Sequence, residues 1–355
     1  MAHTQKTNPG NFFEDFAIGQ QLHHATPRTV TTGDTALYTA LTGNRFAVAS
    51  ADSFAQTLGY PGAPIDDLLV FHVVFGKSVP DISLNAVANL GYAEVTFGAP
   101  VYSGDTLSAV SEVIGLKQNS NGKTGVVYVR TTGENQNGET VLSFIRWVMV
   151  NKRDPAAPAP ATTIPETAEM VAPRELQVPA CLTDVQHYDT QLAGSPHLFD
   201  DYAVGEKIDH VDGMTIEEAE HQLATRLYQN TAKVHFDAKA QAESRFGKRL
   251  IYGGVIISLV RALSFNGLAN AFRIVAINGG RHVNPCFAGD TIYAWSEVLD
   301  TAPMPERSDL GALRLRTIAS RDAACADHPT PETEPKGSGR VLLDLDYWVL
   351  MPRRD

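Results

Sequence analysis

The sequence PVYSGDTL at residues 100–107 is repeated as PCFAGDTI at residues 285–292, an offset of 185 positions. A second pair has almost the same spacing, because FEDFAIG at residues 13–19 recurs as FDDYAVG at residues 199–205, an offset of 186. Matches in one order with nearly constant spacing indicate a tandem duplication of one domain. The period is far longer than that of a solenoid repeat.

A proline-rich segment at residues 151–174 separates the two copies. A third match, RWVMV at residues 146–150 with YWVLM at residues 347–351, lies near the end of each copy. Proline removes backbone donors and stiffens the chain, so the segment is typical of a linker, with a long surface loop as the alternative. We therefore predict an N-terminal domain over residues 1–150 and a C-terminal domain over residues 175–355.

Both halves have the same order of predicted elements: a turn-rich opening, a polar helix, an irregular segment, a strongly apolar helix and then strands. The apolar helices, near residues 67–78 and 253–271, are apolar on nearly every face, which is typical of a buried helix. Period-two alternation predicts the strands at residues 89–97, 106–116, 125–132, 141–150, 272–283, 291–299, 313–319 and 341–351. This pattern predicts an α+β fold, a tandem double hotdog in which each antiparallel sheet wraps around a buried central helix.

Composition narrows the functional class. The formal net charge of −11 argues against binding to nucleic acid, whose affinity comes mainly from neutralised phosphates. It does not exclude coenzyme A, because a few local Lys or Arg residues can hold its phosphates. Cys181, Cys286 and Cys325 form no paired spacing, so we expect neither a disulfide framework nor a zinc ribbon. With no apolar signal segment or membrane-spanning run, we expect a cytoplasmic protein.

One segment carries a resemblance to a known family. The sequence NTAKVHFD at residues 230–237, together with the two Pro-x-x-x-Gly-Asp-Thr segments, resembles the MaoC-like (R)-specific enoyl-CoA hydratases over both halves. YQNTAKVHFD at residues 228–237 and PDISLNAVANLGY at residues 80–92 are similar to the subgroup that hydrates mesaconyl-CoA, also called β-methylmalyl-CoA dehydratase. The resemblance implies reversible hydration of a 2-enoyl-CoA thioester with no metal or redox cofactor.

The resemblance also implies three catalytic positions. The family's motif histidine falls on His235, whose imidazole would act as both general base and general acid near neutral pH. Asn230 stands where the family has a catalytic aspartate, so its amide would hold the attacking water instead of taking a proton. An amide would also avoid repelling a carboxylate on the substrate. The N–H of Gly253, at the start of the apolar helix, would stabilise the enolate oxygen.

Neighbouring residues are predicted to bind the substrate. Asp237, Tyr252 and Gly254 fall on or beside family motif positions, while Arg245 and Arg249 could hold CoA phosphates or a carboxylate. The alternative for the two arginines is solvated charge on a polar helix. Histidines without such context, and without metal-ligand spacing, are interpreted as structural: His72, His210 and His282.

The first half lacks the equivalent groups. The offset of 186 places Asn44 opposite Asn230 and Ala49 opposite His235, while Asp66 and Asp67 occupy the region of the glycine pair. We therefore expect the N-terminal domain to shape the acyl-CoA tunnel without doing chemistry.

Three other functions remain open from the sequence: hydration of a different enoyl-CoA, hydrolysis of an acyl-CoA thioester, and acyl-CoA binding without catalysis. The expected ligand in each case is a CoA thioester, with neither nucleic acid nor membrane as partner. Hotdog domains commonly pair their sheets, so a homodimer is a further expectation.

Overall fold

The computed structural model of the protein describes residues 6–354. Within that range the chain forms ten strands: β1 Gln21–Thr29, β2 Ala86–Phe97, β3 Thr106–Gln118, β4 Thr124–Glu134, β5 Thr140–Asn151, β6 Lys207–Thr215, β7 Arg273–His282, β8 Thr291–Pro303, β9 Leu310–Arg321 and β10 Val341–Pro352. All pair antiparallel in one sheet, in the order β1-β3-β4-β5-β2-β7-β10-β9-β8-β6.

The α-helices of residues 6–354 are α1 Thr32–Thr42, α2 Ala47–Ser50, α3 Asp52–Thr57, α4 Asp67–Ser78, α5 Thr190–Ala193, α6 Glu218–Leu227, α7 Lys233–Phe236, α8 Ala238–Ala242, α9 Gly253–Leu263 and α10 Phe265–Leu268. Among these described residues, no helix is both long and apolar enough to cross a membrane. The helices α4 and α9 are buried along nearly their whole length, as the all-round apolar sequence predicts.

The sheet consists of two five-stranded halves, β1–β5 and β6–β10, and each half packs against its own central helix. The halves join where β2 pairs with β7, with Ala93 opposite Gly279 and Thr96 opposite Ala276. The predicted double hotdog is confirmed, and its two sheets are continuous with each other.

The two central helices meet at equivalent positions of the repeat. His72 on α4 and Ser258 on α9 are 186 residues apart, and their Nε2 and Oγ atoms are 2.8 Å apart. The hydroxyl of Tyr38 also donates to Ser258 Oγ at 3.0 Å. This buried polar contact therefore lies on the pseudo-twofold axis that relates the two halves.

The repeated Gly-Asp-Thr segments form the same turn in both halves. Gly104 and Gly289 adopt φ of 103° and 96°, a left-handed conformation that favours glycine. The carboxylates of Asp105 and Asp290 each accept a hydrogen bond from the backbone N–H three residues earlier. The sequence identity between the copies thus reflects a conserved backbone geometry.

Two predictions about the elements need correction. The second apolar helix ends at Leu263 instead of near residue 271, because Asn266 and Gly267 leave the helical region and Gly267 has φ of 107°. The turn-rich openings also contain the edge strands β1 and β6, which are mostly exposed. Exposed edge strands carry few apolar residues, so period-two alternation does not reveal them.

The segment between β5 and β6 contacts both halves. Thr163 exchanges two backbone hydrogen bonds with Leu116 on β3. Further along, the Val171 N–H donates to Asn278 Oδ1 at 2.8 Å, and the indole N–H of Trp348 donates to the Val171 carbonyl at 3.1 Å. These contacts hold the proline-rich segment against the sheet.

Candidate active site

A cavity of about 320 Å³ opens at the N-terminal end of α9, where the two halves of the molecule meet. The C-terminal half contributes His235, Tyr252, Gly253 and His282 to its wall, and the N-terminal half contributes Phe75 and Arg146. Both halves are therefore needed to form it.

His235 lies on the short helix α7 and its ring faces this cavity. Its Nδ1–H donates to the Leu250 carbonyl oxygen at 2.9 Å, which assigns the tautomer and leaves the Nε2 lone pair available. The surrounding protein desolvates the ring and lowers the pKa of His235 to about 4, although the bond to Leu250 partly opposes that shift. His235 is thus neutral at physiological pH, which is the form that a general base requires.

Gly253 is the first residue of α9 and also lines the cavity. The preceding N–H, that of Tyr252, donates to His221 Nε2 at 3.0 Å, whereas the Gly253 N–H has no acceptor among residues 6–354. A free N–H in the first turn, reinforced by the helix dipole, is a preorganised donor for an oxyanion. A Cβ at Gly253 would lie 2.2 Å from His282 Cε1, so only glycine fits without displacing that ring.

Asn230 is buried beside the same cavity. Its Oδ1 accepts a hydrogen bond from the Ala232 N–H at 3.1 Å, and its Nδ2 has no acceptor among residues 6–354. With this assignment of the amide, Asn230 presents a donor to the cavity. It can hold a water or a substrate oxygen but cannot take a proton from it.

The predicted binding residues separate into different environments. Tyr252 lines the cavity, while Gly254 lies beneath it, where a Cβ would be 2.5 Å from His72 Cε1. Asp237 caps helix α8 by accepting the Ala240 N–H at 3.0 Å and is not part of the cavity wall. Of these three predicted residues, only Tyr252 can contact a ligand in the cavity. Asp237 and Gly254 contribute to the local structure around it.

The predicted arginines lie on the surface near the cavity. The guanidinium of Arg249 forms an ion pair with the carboxylate of Glu218. Arg245 is exposed and stacks 5.3 Å from the ring of Phe246, a residue of the cavity wall. Lys248 lies 4.1 Å from the ring of Phe287, which itself packs against Phe246. Of the two predicted arginines, Arg245 is the one beside the cavity.

His282, interpreted from the sequence as structural, belongs to the cavity wall. Its Nε2 is 3.4 Å from the hydroxyl of Tyr92, and its Nδ1 is buried with no partner among residues 6–354. Burial, and to a smaller degree His235, lowers the pKa of His282 to about 4. Nothing in its sequence context distinguishes it from an ordinary histidine at a strand end. By contrast, both ring nitrogens of His72 and of His210 lie near partners inside the protein.

Arg146 is the second residue of the cavity that sequence reasoning missed. It is fully buried on β5, where it shares the inward face with Phe144 and Val148. In a strand whose residues alternate between apolar and polar, Arg146 stands at a position where an apolar residue is expected. That exception is the signal that could have revealed it.

Comparisons with known proteins identify the family of this chain. A model of the mesaconyl-CoA hydratase family matches residues 1–328. The chain is 63% identical to the β-methylmalyl-CoA dehydratase of Chloroflexus aurantiacus, over 98% of this chain and 99% of the relative. It is 61% identical to the mesaconyl-CoA hydratase of Cereibacter sphaeroides, over 98% of this chain and all of the relative.

Solved structures show the same architecture. A MaoC domain protein from Chloroflexus aurantiacus superposes with a TM-score of 0.95 at 62% identity, covering 99% of this chain and 100% of that one. A double-hotdog protein from Mycobacterium tuberculosis gives a TM-score of 0.77 at 26% identity, covering 97% and 99%. The fold and these relatives define a MaoC-like double-hotdog hydro-lyase. Within that class, the chain belongs to the mesaconyl-CoA hydratase family.

Proposed function

We propose that this protein catalyses the reversible addition of water to mesaconyl-CoA, giving β-methylmalyl-CoA. The observation that carries the proposal is the pairing of the His235 imidazole and the Gly253 N–H in one cavity. Hydration of an enoyl thioester requires these two groups, a base for water and a donor for the enolate oxygen.

The reaction follows from those two groups. His235 Nε2 takes a proton from water while the water oxygen bonds to the β-carbon, and the electron pair of the double bond moves onto the thioester oxygen. The Gly253 N–H donates a hydrogen bond to that oxygen as its negative charge develops. The proton on His235 then passes to the α-carbon, the thioester carbonyl re-forms, and the imidazole is neutral again. Asn230 Nδ2 orients the attacking water by donating a hydrogen bond to its oxygen, a role supported by its place in the cavity wall.

Hydrolysis of the thioester is the weaker alternative. In hotdog domains that chemistry usually needs a carboxylate near the thioester carbonyl, and the cavity wall formed by residues 6–354 contains no Asp or Glu.

The mouth of the cavity suits coenzyme A. Phe246 and Val87 are partly exposed there, and Arg245 and Lys248 lie beside Phe246 and Phe287. Apolar side chains next to basic ones match the apolar arm and the phosphates of coenzyme A. We infer that the thioester enters from this side and that its acyl group reaches His235.

The direct test is His235→Ala, assayed by loss of enoyl-thioester absorbance and, separately, by release of free thiol. We expect hydration to fall by roughly 10²- to 10⁴-fold, the usual contribution of a general acid–base residue, with no thiol released by either protein. His23→Ala removes an exposed imidazole from β1 and should leave the rate unchanged. Hydration near the wild-type rate in His235→Ala would remove this residue from the mechanism. Thiol release by the wild type would instead identify a thioesterase.

A further inference from the structure

Arg146 is a buried cation with no acidic partner in the part of the chain that the structure describes. Its guanidinium donates to the hydroxyls of Ser78 at 2.8 Å and Ser83 at 3.4 Å, and no ion pair forms with residues 6–354. Its Nε has no partner within the same range, and its charged carbon lies 4.3 Å from the centre of the Phe75 ring. Burying an unpaired charge is strongly unfavourable unless something else compensates it.

Asn89 adds a second unpaired group to the same wall. Both its Nδ2 and its Oδ1 are buried without a partner among residues 6–354. Asn89 on β2 lies opposite Val148, and Tyr92 lies opposite Arg146, so Asn89 and Arg146 both lie on the inner face of the sheet. Buried amides are nearly always hydrogen-bonded in folded proteins. Polar atoms without a partner among residues 6–354, Nε of Arg146 and the amide of Asn89, therefore lie on one face of the sheet and point to a polar ligand.

The charge balance of the cavity identifies the sign of that ligand. Within residues 6–354 its wall holds one guanidinium and no carboxylate. Although burial lowers the pKa of Arg146 to about 10, the group stays protonated at neutral pH. A planar guanidinium with an amide donor on the same face of the sheet matches a carboxylate, which can accept two parallel hydrogen bonds from arginine.

We infer that Arg146 and Asn89 form a receptor for a carboxylate carried by the acyl chain, so that the N-terminal half selects the substrate on which the C-terminal half acts. This inference rests on the proposed function, and it assigns the acyl group of mesaconyl-CoA an orientation. The carboxylate on the β-carbon faces Arg146, which leaves the double bond between His235 and Gly253. The charge of Arg146, which no acid among residues 6–354 neutralises, becomes paired when the substrate binds.

The binding test compares succinyl-CoA with butyryl-CoA by calorimetry. These ligands have four-carbon acyl chains that end in a carboxylate or a methyl group, and neither has a double bond to hydrate. We expect the wild type to bind succinyl-CoA at least about tenfold more tightly, and Arg146→Met and Asn89→Leu to reduce that ratio towards one. Equal binding of the two ligands by the wild type would overturn the inference, whether or not the protein is a hydratase.

The kinetic test uses mesaconyl-CoA and (E)-2-methylbut-2-enoyl-CoA, which differ by the same exchange of carboxylate for methyl. In Arg146→Met the ratio of their kcat/KM values should fall by about 10²- to 10⁴-fold, since a site built for a polar group rejects an analogue without it. Arg146→Lys keeps the charge and should lose less of the ratio. An unchanged ratio in folded Arg146→Met would show that this arginine is structural.

Arg130→Met is the matched control for both tests. Arg130 lies on the neighbouring strand β4, is exposed, and pairs with Glu94 outside the cavity. Its substitution removes one positive charge from the same half of the molecule. If Arg130→Met changed either ratio as much as Arg146→Met, the effect would come from net charge and the receptor would be ruled out.

Discussion

The N-terminal ends of α4 and α9 occupy equivalent positions in the repeat, yet one is closed and the other is open. At α4, Asp66 caps the helix through the Leu68 N–H at 2.9 Å, and Asp67 forms an ion pair with Arg273 at 3.3 Å. The remaining space there is about 10 Å³. At α9, Tyr252 and Gly253 take the places of the two aspartates, and the cavity measures about 320 Å³.

The two equivalent asparagines show how the same framework serves both ends. Oδ1 of Asn44 and Oδ1 of Asn230 each accept the backbone N–H two residues later, at 3.1 Å in both cases. Nδ2 of Asn44 then bonds to the carboxylate of Asp66, whereas Nδ2 of Asn230 has no acceptor among residues 6–354. The first half provides a protein carboxylate where the second half leaves room for a ligand.

The buried arginines differ in the same way. Arg273 is neutralised by Asp67, whereas Arg146 has no acid within residues 6–354. Duplication therefore produced one end whose charges are satisfied internally, which stabilises the fold, and one end whose polar groups are left for a substrate. Substitutions at the two ends should accordingly change different quantities.

Asp67→Ala should produce the largest of the expected changes, and the quantity that changes is the free energy of unfolding. Burial raises the pKa of Asp67 to about 6, so at pH 8 its carboxylate is ionised and neutralises Arg273. Removing it leaves a buried charge and takes away the acceptor of the Ile274 N–H, at a cost of about 3–5 kcal/mol in the free energy of unfolding. Urea denaturation at pH 8 measures this loss.

Asp212→Ala, at an exposed position, is the control and should stay within about 0.5 kcal/mol of the wild type. A loss below about 1 kcal/mol in Asp67→Ala would show that the ion pair does not stabilise the closed end.

Gly253→Ala should change the rate more than the stability. The new Cβ would lie 2.2 Å from His282 Cε1, which displaces that ring and obstructs the helix-end N–H. Loss of one oxyanion donor lowers kcat by about 10²- to 10³-fold. In the first half, Gly33→Ala meets only Thr31 Oγ1, at 3.5 Å, and its equivalent position already holds Ala219. Comparable kcat losses in the two variants would contradict the assignment of the Gly253 N–H.

The pH profile should show a base whose pKa is lowered by desolvation. His235 acts in its neutral form, so activity is lost as the pH falls through its pKa of about 4. An imidazole with the ordinary pKa of about 6.5 would retain roughly 3% of its neutral form at pH 5, so the expected profile differs by about 30-fold there. His282 is electrostatically coupled to His235. The pKa that the profile reports therefore describes the titration of both rings together. Short pH-jump assays of kcat/KM measure the acid limb before the protein unfolds, and a midpoint near 6.5 would mean that the ring is hydrated.

Asn230→Asp should produce the smallest change, a decrease of about tenfold in kcat/KM for mesaconyl-CoA. An aspartate would place a negative charge in the cavity that receives the substrate carboxylate, and repulsion at a partly buried separation costs on the order of 1 kcal/mol or more. The effect should be smaller with (E)-2-methylbut-2-enoyl-CoA, which lacks the carboxylate. Higher activity of the variant toward mesaconyl-CoA would refute this explanation for the amide.

The sequence predicted much of the fold because its signals are periodic. The bounds of α4 and the order of the strands after each central helix follow from apolar patterns, and the double hotdog follows from the repeat. The edge strands β1 and β6 escaped because an exposed strand has no apolar face to reveal it. The motif around His235 could be recognised because its residues are close together in the chain.

The sequence alone therefore revealed the duplication, through segments repeated about 186 residues apart, and predicted the buried helices, the motif histidine and its helix-end glycine from patterns within short segments. Only the tertiary structure brought Arg146, Asn89 and His282 into one cavity wall with His235, because these residues come from strands far apart in the chain. Whether a buried charge is neutralised or left unpaired depends on which strands pack together, and local patterns do not encode that packing. Arg273 and Arg146 show the consequence, because both are buried arginines on strands. In the folded protein Arg273 forms an ion pair with Asp67, whereas Arg146 donates only to serine hydroxyls.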